Sequence, residues 1–282
     1  MAKLKLDEVT AEDLEAYVET ISDFAFEQRV FARLVELRFE AKHNGTYSDP
    51  VTGKPREFDI RATMSLTDRI HQKTKFQIFL AVECKNIGKN SPLLVATVPR
   101  GETESFHEFF LVQKVGDGVK DPTCKRTRVE RQLYGARKPV GKDCHQVGRL
   151  QSNGELSGDD RELYDKWSQA ISSAHDLADD ATRHNDKELN MYDQATAVFP
   201  VVVVPDSTLW TVAYDGKGKI TASPKQVDHV EYFVGAEVVR NGVRVMQISH
   251  LHFCTLSGID LMLDNLSTDH PTDSLFPSGY LK

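Results

Sequence analysis

The sequence predicts an α/β protein with a central mixed β-sheet flanked by helices, and three observations carry that expectation. Short segments of alternating apolar character recur along the chain, as strands require. Residues 160–183 instead repeat apolar side chains at helical spacing, through Leu163, Tyr164, Trp167, Ala170, Ile171, Ala174 and Ala178. AVFPVVVVPD is a nearly continuous apolar run, suited to a strand buried on both faces. A chain that interleaves such strands with helices builds a layered sandwich.

Residues 10–42 read as two helices. The first begins at Thr10, with Glu12 and Asp13 suited to a helix N-terminus. Ser22-Asp23 offers a new N-cap for FAFEQRVFARLVELRFEAK, and HNG is expected to end that helix at Gly45. TYSDPVTGKP reads as a loop. REFDIRATMSL and KFQIFLAVECKN follow as strands, joined by TDRIHQKTK. LLVATV (93–98) and EFFLVQ (108–113) are further strands. Residues 114–160 are basic, contain Gly and have weak periodicity, so an insertion of loops and short elements is expected over about 100–160. AVFPVVVVPD, LWTVAYD, HVEYFVGAEVV and VRVMQISHLHF complete the strands, and GIDLMLDNL is a closing helix. The expected layout is an N-terminal helical segment (1–22), one domain (23–266) and a C-terminal tail (267–282).

At 282 residues, with 40% hydrophobic and 27% charged content, the chain has the composition of an ordinary globular protein. No apolar run reaches the roughly 20 residues of a membrane helix, and the first residues carry no apolar leader, so a cytoplasmic location and no membrane partner are expected. The net charge of −7 disfavours a protein that coats nucleic acid through bulk charge. Its distribution is uneven: Lys114 to Arg149 holds ten Lys/Arg against four Asp/Glu, whereas 155–193 holds four against eleven. Cys84, Cys124, Cys144 and Cys254 lack CxxC spacing, which argues against a zinc site or a disulfide framework.

The chemistry-bearing pattern lies in the first strand pair. If 56–66 and 76–86 form an antiparallel hairpin centred near His71, Asp59 falls opposite Glu83, close enough for one cation to bridge both carboxylates. Lys85 lies two residues on and shares the face of Glu83, while Phe58, Ile60 and Ala62 turn to the other face beside Leu80, Val82 and Cys84. On the helix at 23–42, 100° steps put Glu27 at the centre of the apolar stripe, an expensive place for a carboxylate without a partner. Glu40-Ala41-Lys42 repeats the ExK spacing but is expected on an exposed helix end. A hard Mg²⁺ ion, with Mn²⁺ able to substitute, suits such an oxygen site, and Lys85 would orient a water for phosphodiester hydrolysis. The same residues also suit a plain cross-strand ion pair with no chemistry.

At these positions the sequence resembles the PD-(D/E)XK nuclease superfamily, whose pattern is a helix acid, a strand Asp and then (D/E)xK on the next strand. The matching residues are Glu27, Asp59, Glu83 and Lys85, and the likeness covers about 24–90, with a looser echo in the helix at 160–183. Phe58 stands where the Pro of the name would be. The resemblance implies a restriction-endonuclease-like fold and Mg²⁺-dependent DNA cleavage, with Asp59, Glu83 and the backbone carbonyl of Cys84 as metal ligands. It also implies a role in genome defence or DNA repair, with DNA, partner proteins of such a system and a second copy of the chain as partners. The alternative is a nuclease-like module that binds nucleic acid or a protein without cleaving.

The basic stretch at 125–142 offers Lys125, Arg126, Arg128, Arg131, Arg137 and Lys138 as phosphate contacts, or simply a solvated loop. His250 and His252 share a strand face with no third metal ligand nearby and read as ordinary strand histidines, and Cys144 and His145, being adjacent in sequence, are not expected to form a Cys-His nucleophile pair. Gln169 is placed on the polar side of its helix. Trp167 and Trp210 read as core.

Overall fold

The structure is a computed structural model that describes residues 7–20, 22–66, 74–115, 118–119, 122–127, 133–150, 152–159, 161–183, 193–240, 242–266 and 275–276. In chain order its elements are α1 (Ala11–Thr20), α2 (Phe24–Glu36), β1 (Glu40–Ser48), β2 (Pro55–Leu66), β3 (Thr74–Cys84), β4 (Leu93–Pro99) and β5 (Glu108–Val112). After them come β6 (Lys114–Val115), β7 (Gly118–Val119), β8 (Thr123–Arg126), β9 (Pro139–Arg149), β10 (Leu156–Asp159) and α3 (Arg161–Arg183). The last are β11 (Asp193–Val204), β12 (Leu209–Tyr214), β13 (Ile220–Gln226), β14 (His229–Arg240), β15 (Val243–Thr255) and α4 (Gly258–Leu266).

Thirteen of the described strands form one mixed sheet, with the path β1-β2-β3-β11-β15-β14-β9-β4-β12-β13 and side branches through β5, β8 and β10. The protein is therefore α/β, with a large mixed sheet and few flanking helices. β11 pairs in parallel with β3 on one side and β15 on the other. Its residues are buried from Gln194 to Val204, so the double-sided burial read from its apolar run holds. The edges are polar: β1 alternates around EAKHNGTYS, and β13 is exposed along its length and carries Pro224, which an edge strand tolerates.

Helices cover the two faces differently. α3 lays Ala170, Ala174, Ala178 and Ala181 against the sheet, small side chains that let the helix approach closely. Ala81, Ala174 and Ala178 share one core cluster on that side. On the other side Phe26, Val30 and Leu34 of α2 and Ile259, Met262 and Leu266 of α4 meet Ile60, Ala62, Leu80, Val82 and Cys84. No described helix is long and apolar enough to cross a membrane.

Four local expectations are corrected. The second helix stops at Glu36, and HNG lies within β1 rather than at a helix end. Arg38 takes a positive φ of 67°, and its N–H and that of Phe39 bond to the carbonyls of Val35 and Leu34. This is a helix stop of the kind Gly usually makes, here held by burial of Phe39 beside Leu34. Glu40-Ala41-Lys42 accordingly starts an edge strand. The 100–160 region is not only loops: β9 runs for 11 residues between β4 and β14 inside the main sheet. Within the expected tail, Leu275 and Phe276 are fully buried, and the Phe276 ring meets Phe76 and Phe109.

Candidate active site

The β2–β3 ladder runs from Leu66 opposite Phe76 to Ile60 opposite Val82, and every pair obeys the register read from the sequence. One step further that register sets Asp59 opposite Glu83. Here the backbone rung is replaced by a side chain, because the Cys84 N–H donates to Asp59 Oδ2 at 2.8 Å. The hairpin centre at His71 lies outside the described residues. Phe58 departs from the expected pattern: it is buried, but its ring lies under Arg61, whose guanidinium carbon is 4.5 Å from the ring centre.

Glu83 is fully buried, and among the described residues neither of its carboxylate oxygens has a hydrogen-bond partner. Burial first, and the charge of Asp59 next, push its carboxyl well above the ordinary range; Lys166 opposes them. Lys166 is the residue that the sequence reading missed. Its ammonium stands 2.7 Å from Asp59 Oδ2 and 3.7 Å from Glu83 Oε2. Burial lowers its affinity for a proton, but the charges of Asp59 and Glu83 more than reverse this, and the ammonium form is held firmly. The available signal was spacing: Lys166 lies one helical turn before Ala170, in line with the alanines that touch the sheet.

A polar line along α3 seats it on the β1–β2 hairpin. The Tyr47 hydroxyl lies 3.5 Å from the carbonyl oxygen of Gln169, and Ser172 donates to Asp49 at 3.0 Å. Arg61 donates to Ser173 at 3.0 Å and to Asp176 at 2.7 Å. Asp49 is itself paired with Arg56. Gln169 therefore contributes its backbone to this line.

Glu27 is buried as expected, but toward one side of the apolar stripe, which runs through Phe26, Val30 and Leu34. Its carboxylate meets His43 Nε2 at 3.0 Å, and His43 Nδ1 meets the Gln28 amide at 2.8 Å. Glu27 and His43 lie on the face under α2, whereas Asp59, Glu83 and Lys166 meet on the face under α3. The expected convergence of three acids thus reduces to two. Lys85 is half-buried just beyond β3, with its N–H bonded to the Val203 carbonyl at 2.9 Å. The Cys84 thiol is pushed well up by burial, then by Asp59, Glu27 and Glu83, which argues against a reactive thiolate. All four cysteines are free.

Among the described residues no group of three or more His, Cys, Asp or Glu is arranged to hold a metal. The donor set still suits Mg²⁺, which takes one or two carboxylates and keeps several waters, because the buried oxygens of Glu83 beside Asp59 accept no hydrogen bond among the described residues and Lys166 compensates them only from 3.7 Å.

The basic stretch is partly committed elsewhere. Arg126 pairs with buried Glu108 at 2.7 Å, and Arg244 holds the same carboxylate at 2.8 Å. Arg126 is thereby committed to an ion pair between β5 and β8, with half of its side chain left exposed. Arg137 and Lys138 are exposed, Lys125 is half-exposed on β8, and Arg128 and Arg131 lie outside the described residues. His250 and His252 are buried with His107 and Tyr134, beside the half-buried His229: the Tyr134 hydroxyl meets His252 Nε2 at 2.8 Å, and His229 Nε2 meets His252 Nδ1 at 2.9 Å. His145 bonds instead to Asp143 at 2.8 Å. No protein-family model, curated protein or solved structure matches this chain.

Proposed function

We propose that the chain is a Mg²⁺-dependent phosphodiesterase, a DNA endonuclease of the PD-(D/E)XK type on a restriction-endonuclease-like fold. The observation that carries this reading is Glu83: a fully buried carboxylate whose oxygens have no hydrogen-bond partner among the described residues, set opposite Asp59 one step beyond the Ile60–Val82 pair. Burying two acids together without a cation is costly, and a hard dication offsets that cost.

In this reading Asp59, Glu83 and the Cys84 carbonyl hold the metal. The bound ion would supply an acidified water and charge compensation for the phosphoryl oxygens. Asp59 is kept in position by the Cys84 N–H, so its carboxylate is oriented before any substrate arrives. Lys85, on the same strand alternation as Glu83, orients the attacking water or neutralises charge on the phosphate. Glu27 acts through its fixed partner His43 and supports the site from the far side of the sheet. Exposed Arg137 and Lys138, with half-exposed Lys125, are the described members of the basic stretch that would meet a DNA backbone in this reading.

One observation favours the second reading, a nuclease-like module that binds without cleaving: Lys166 already gives Asp59 a cationic partner. The deciding experiment is a cleavage assay on supercoiled plasmid and linear single-stranded DNA with Mg²⁺, Mn²⁺ or EDTA, comparing wild type with Asp59→Ala and Lys85→Ala. Metal-dependent nicking that disappears in both folded variants supports the nuclease. Absence of cleavage and of Mg²⁺ binding by the wild type favours the binding module.

A further inference from the structure

The two carboxylates of the site are served unequally by one lysine. Lys166 makes a hydrogen-bonded ion pair with Asp59, but at 3.7 Å it is beyond hydrogen-bonding distance from Glu83. Two carboxylates and one ammonium leave a net negative charge in a place where Glu83 has no exposed surface at all. The ammonium therefore stands where charge compensation is needed and supplies only part of it.

We propose that Lys166 is an internal counter-cation that a divalent ion must displace, so that its ammonium competes with the metal for Asp59 and Glu83. This rests on the metal-dependent reading above. A dication and an ammonium cannot share these two carboxylates at close range without strong mutual repulsion. The lysine is equipped to leave: it reaches in from α3 on a flexible four-carbon stem, and its side chain retains 18% exposure. Asp23, at the start of α2, is a third acid whose charge acts on Lys166 and lies on the side of the site held by Asn86. The metal-free protein thereby keeps Asp59 and Glu83 together without collapsing into a repelling pair. Loading the metal requires the lysine to move, which limits affinity until an anionic substrate offers the ammonium a new partner.

The test is a calorimetric titration of Mg²⁺ and of Mn²⁺ into full-length wild type, Lys166→Met, Lys166→Gln, Lys166→Arg and Asp59→Ala, each first shown to be folded in EDTA by circular dichroism. Removing a competing unit charge at this range is expected to tighten metal binding about tenfold or more in the Met and Gln variants. Lys166→Arg retains the charge and is expected to stay near wild type, and Asp59→Ala to lose binding. The same neutral variants are expected to melt lower than wild type in EDTA and to gain more from added Mg²⁺. Metal binding by the wild type with equal or weaker binding by both neutral variants would overturn the lysine's role while leaving the nuclease reading intact. Failure of every protein to bind either ion would overturn both.

Discussion

The carboxylate of Asp59 accepts the backbone N–H of Cys84 at 2.8 Å, taking the place of the next backbone rung between β2 and β3. That bond ties Asp59 to the strand that carries Glu83, so two acids are held together by the sheet itself. The two acids repel each other, and the Lys166 ammonium offsets part of that repulsion.

Replacing Glu83 by Gln is therefore expected to stabilise the metal-free protein. The carboxyl is held above its ordinary range by burial and by Asp59, and the linkage sign follows: its favourable contribution exists in acid and is lost as pH rises through the raised folded value. At neutral pH an amide removes the repulsion and can donate to Asp59. A melting-temperature rise of roughly 2–4 °C in EDTA is expected, about 1 kcal/mol for a chain of this size. The shift induced by Mg²⁺ should disappear in the same variant. A lower melting temperature in EDTA would contradict the account.

The buried histidines set the acid limit of the fold. Burial pushes His107, His175 and His229 down to about 4, and His250 and His252 well below the usual imidazole value. Each is neutral in the folded state, whereas the unfolded chain takes up protons below about pH 6.5. Their contribution is complete above that value and is lost as pH falls from about 6.5 toward 4. Glu83 works in the opposite direction but is one group against five. Urea midpoints at about pH 7.5, 6 and 5 should decline in order, and more steeply in Glu83→Gln. A flat profile would show that the folded histidines take up those protons as readily as the unfolded chain does.

Arg61 fastens the helix that delivers Lys166. It lies over the rings of Tyr47 and Phe58 and donates to Ser173 and Asp176. Arg61→Met is expected to cost about 2–3 kcal/mol, below the value for a fully buried pair because Asp176 keeps some contact with water. Adding Asp176→Leu should recover much of that loss by removing the orphaned charge. Chemical denaturation of the two single variants and the double variant measures the coupling, and strict additivity would contradict the pairing.

The parts legible from sequence are those where local pattern and tertiary environment agree. The register between β2 and β3 followed from two apolar alternations of matching length, and the ladder obeys it as far as Ile60 opposite Val82, the step before Asp59 and Glu83. The burial of Glu27 was visible on the helical wheel, but its partner His43 was not, because residues 40–48 read as helix and loop. The reason is Arg38, a non-Gly residue that ends α2 in the left-handed region, where a Gly would have signalled the stop. β9 was hidden by its polar sequence, PVGKDCHQVGR, which pairing on both sides holds in the sheet. Lys166 escaped notice because it reaches Asp59 across 107 residues, a contact that no local spacing encodes.

The long crossover from β3 to its parallel neighbour β11 has a consequence for how the protein comes into being. Residues 74–84 pair with residues 193–203, and Phe276, near the end of the sequence, closes the packing against Phe76. A chain emerging from the ribosome makes Asp59 and Glu83 first, Lys166 much later, and the Phe276 wedge of core later still. The acidic pair therefore gains its counter-charge from Lys166, and β3 its parallel neighbour, only after α3 and β11 have been made.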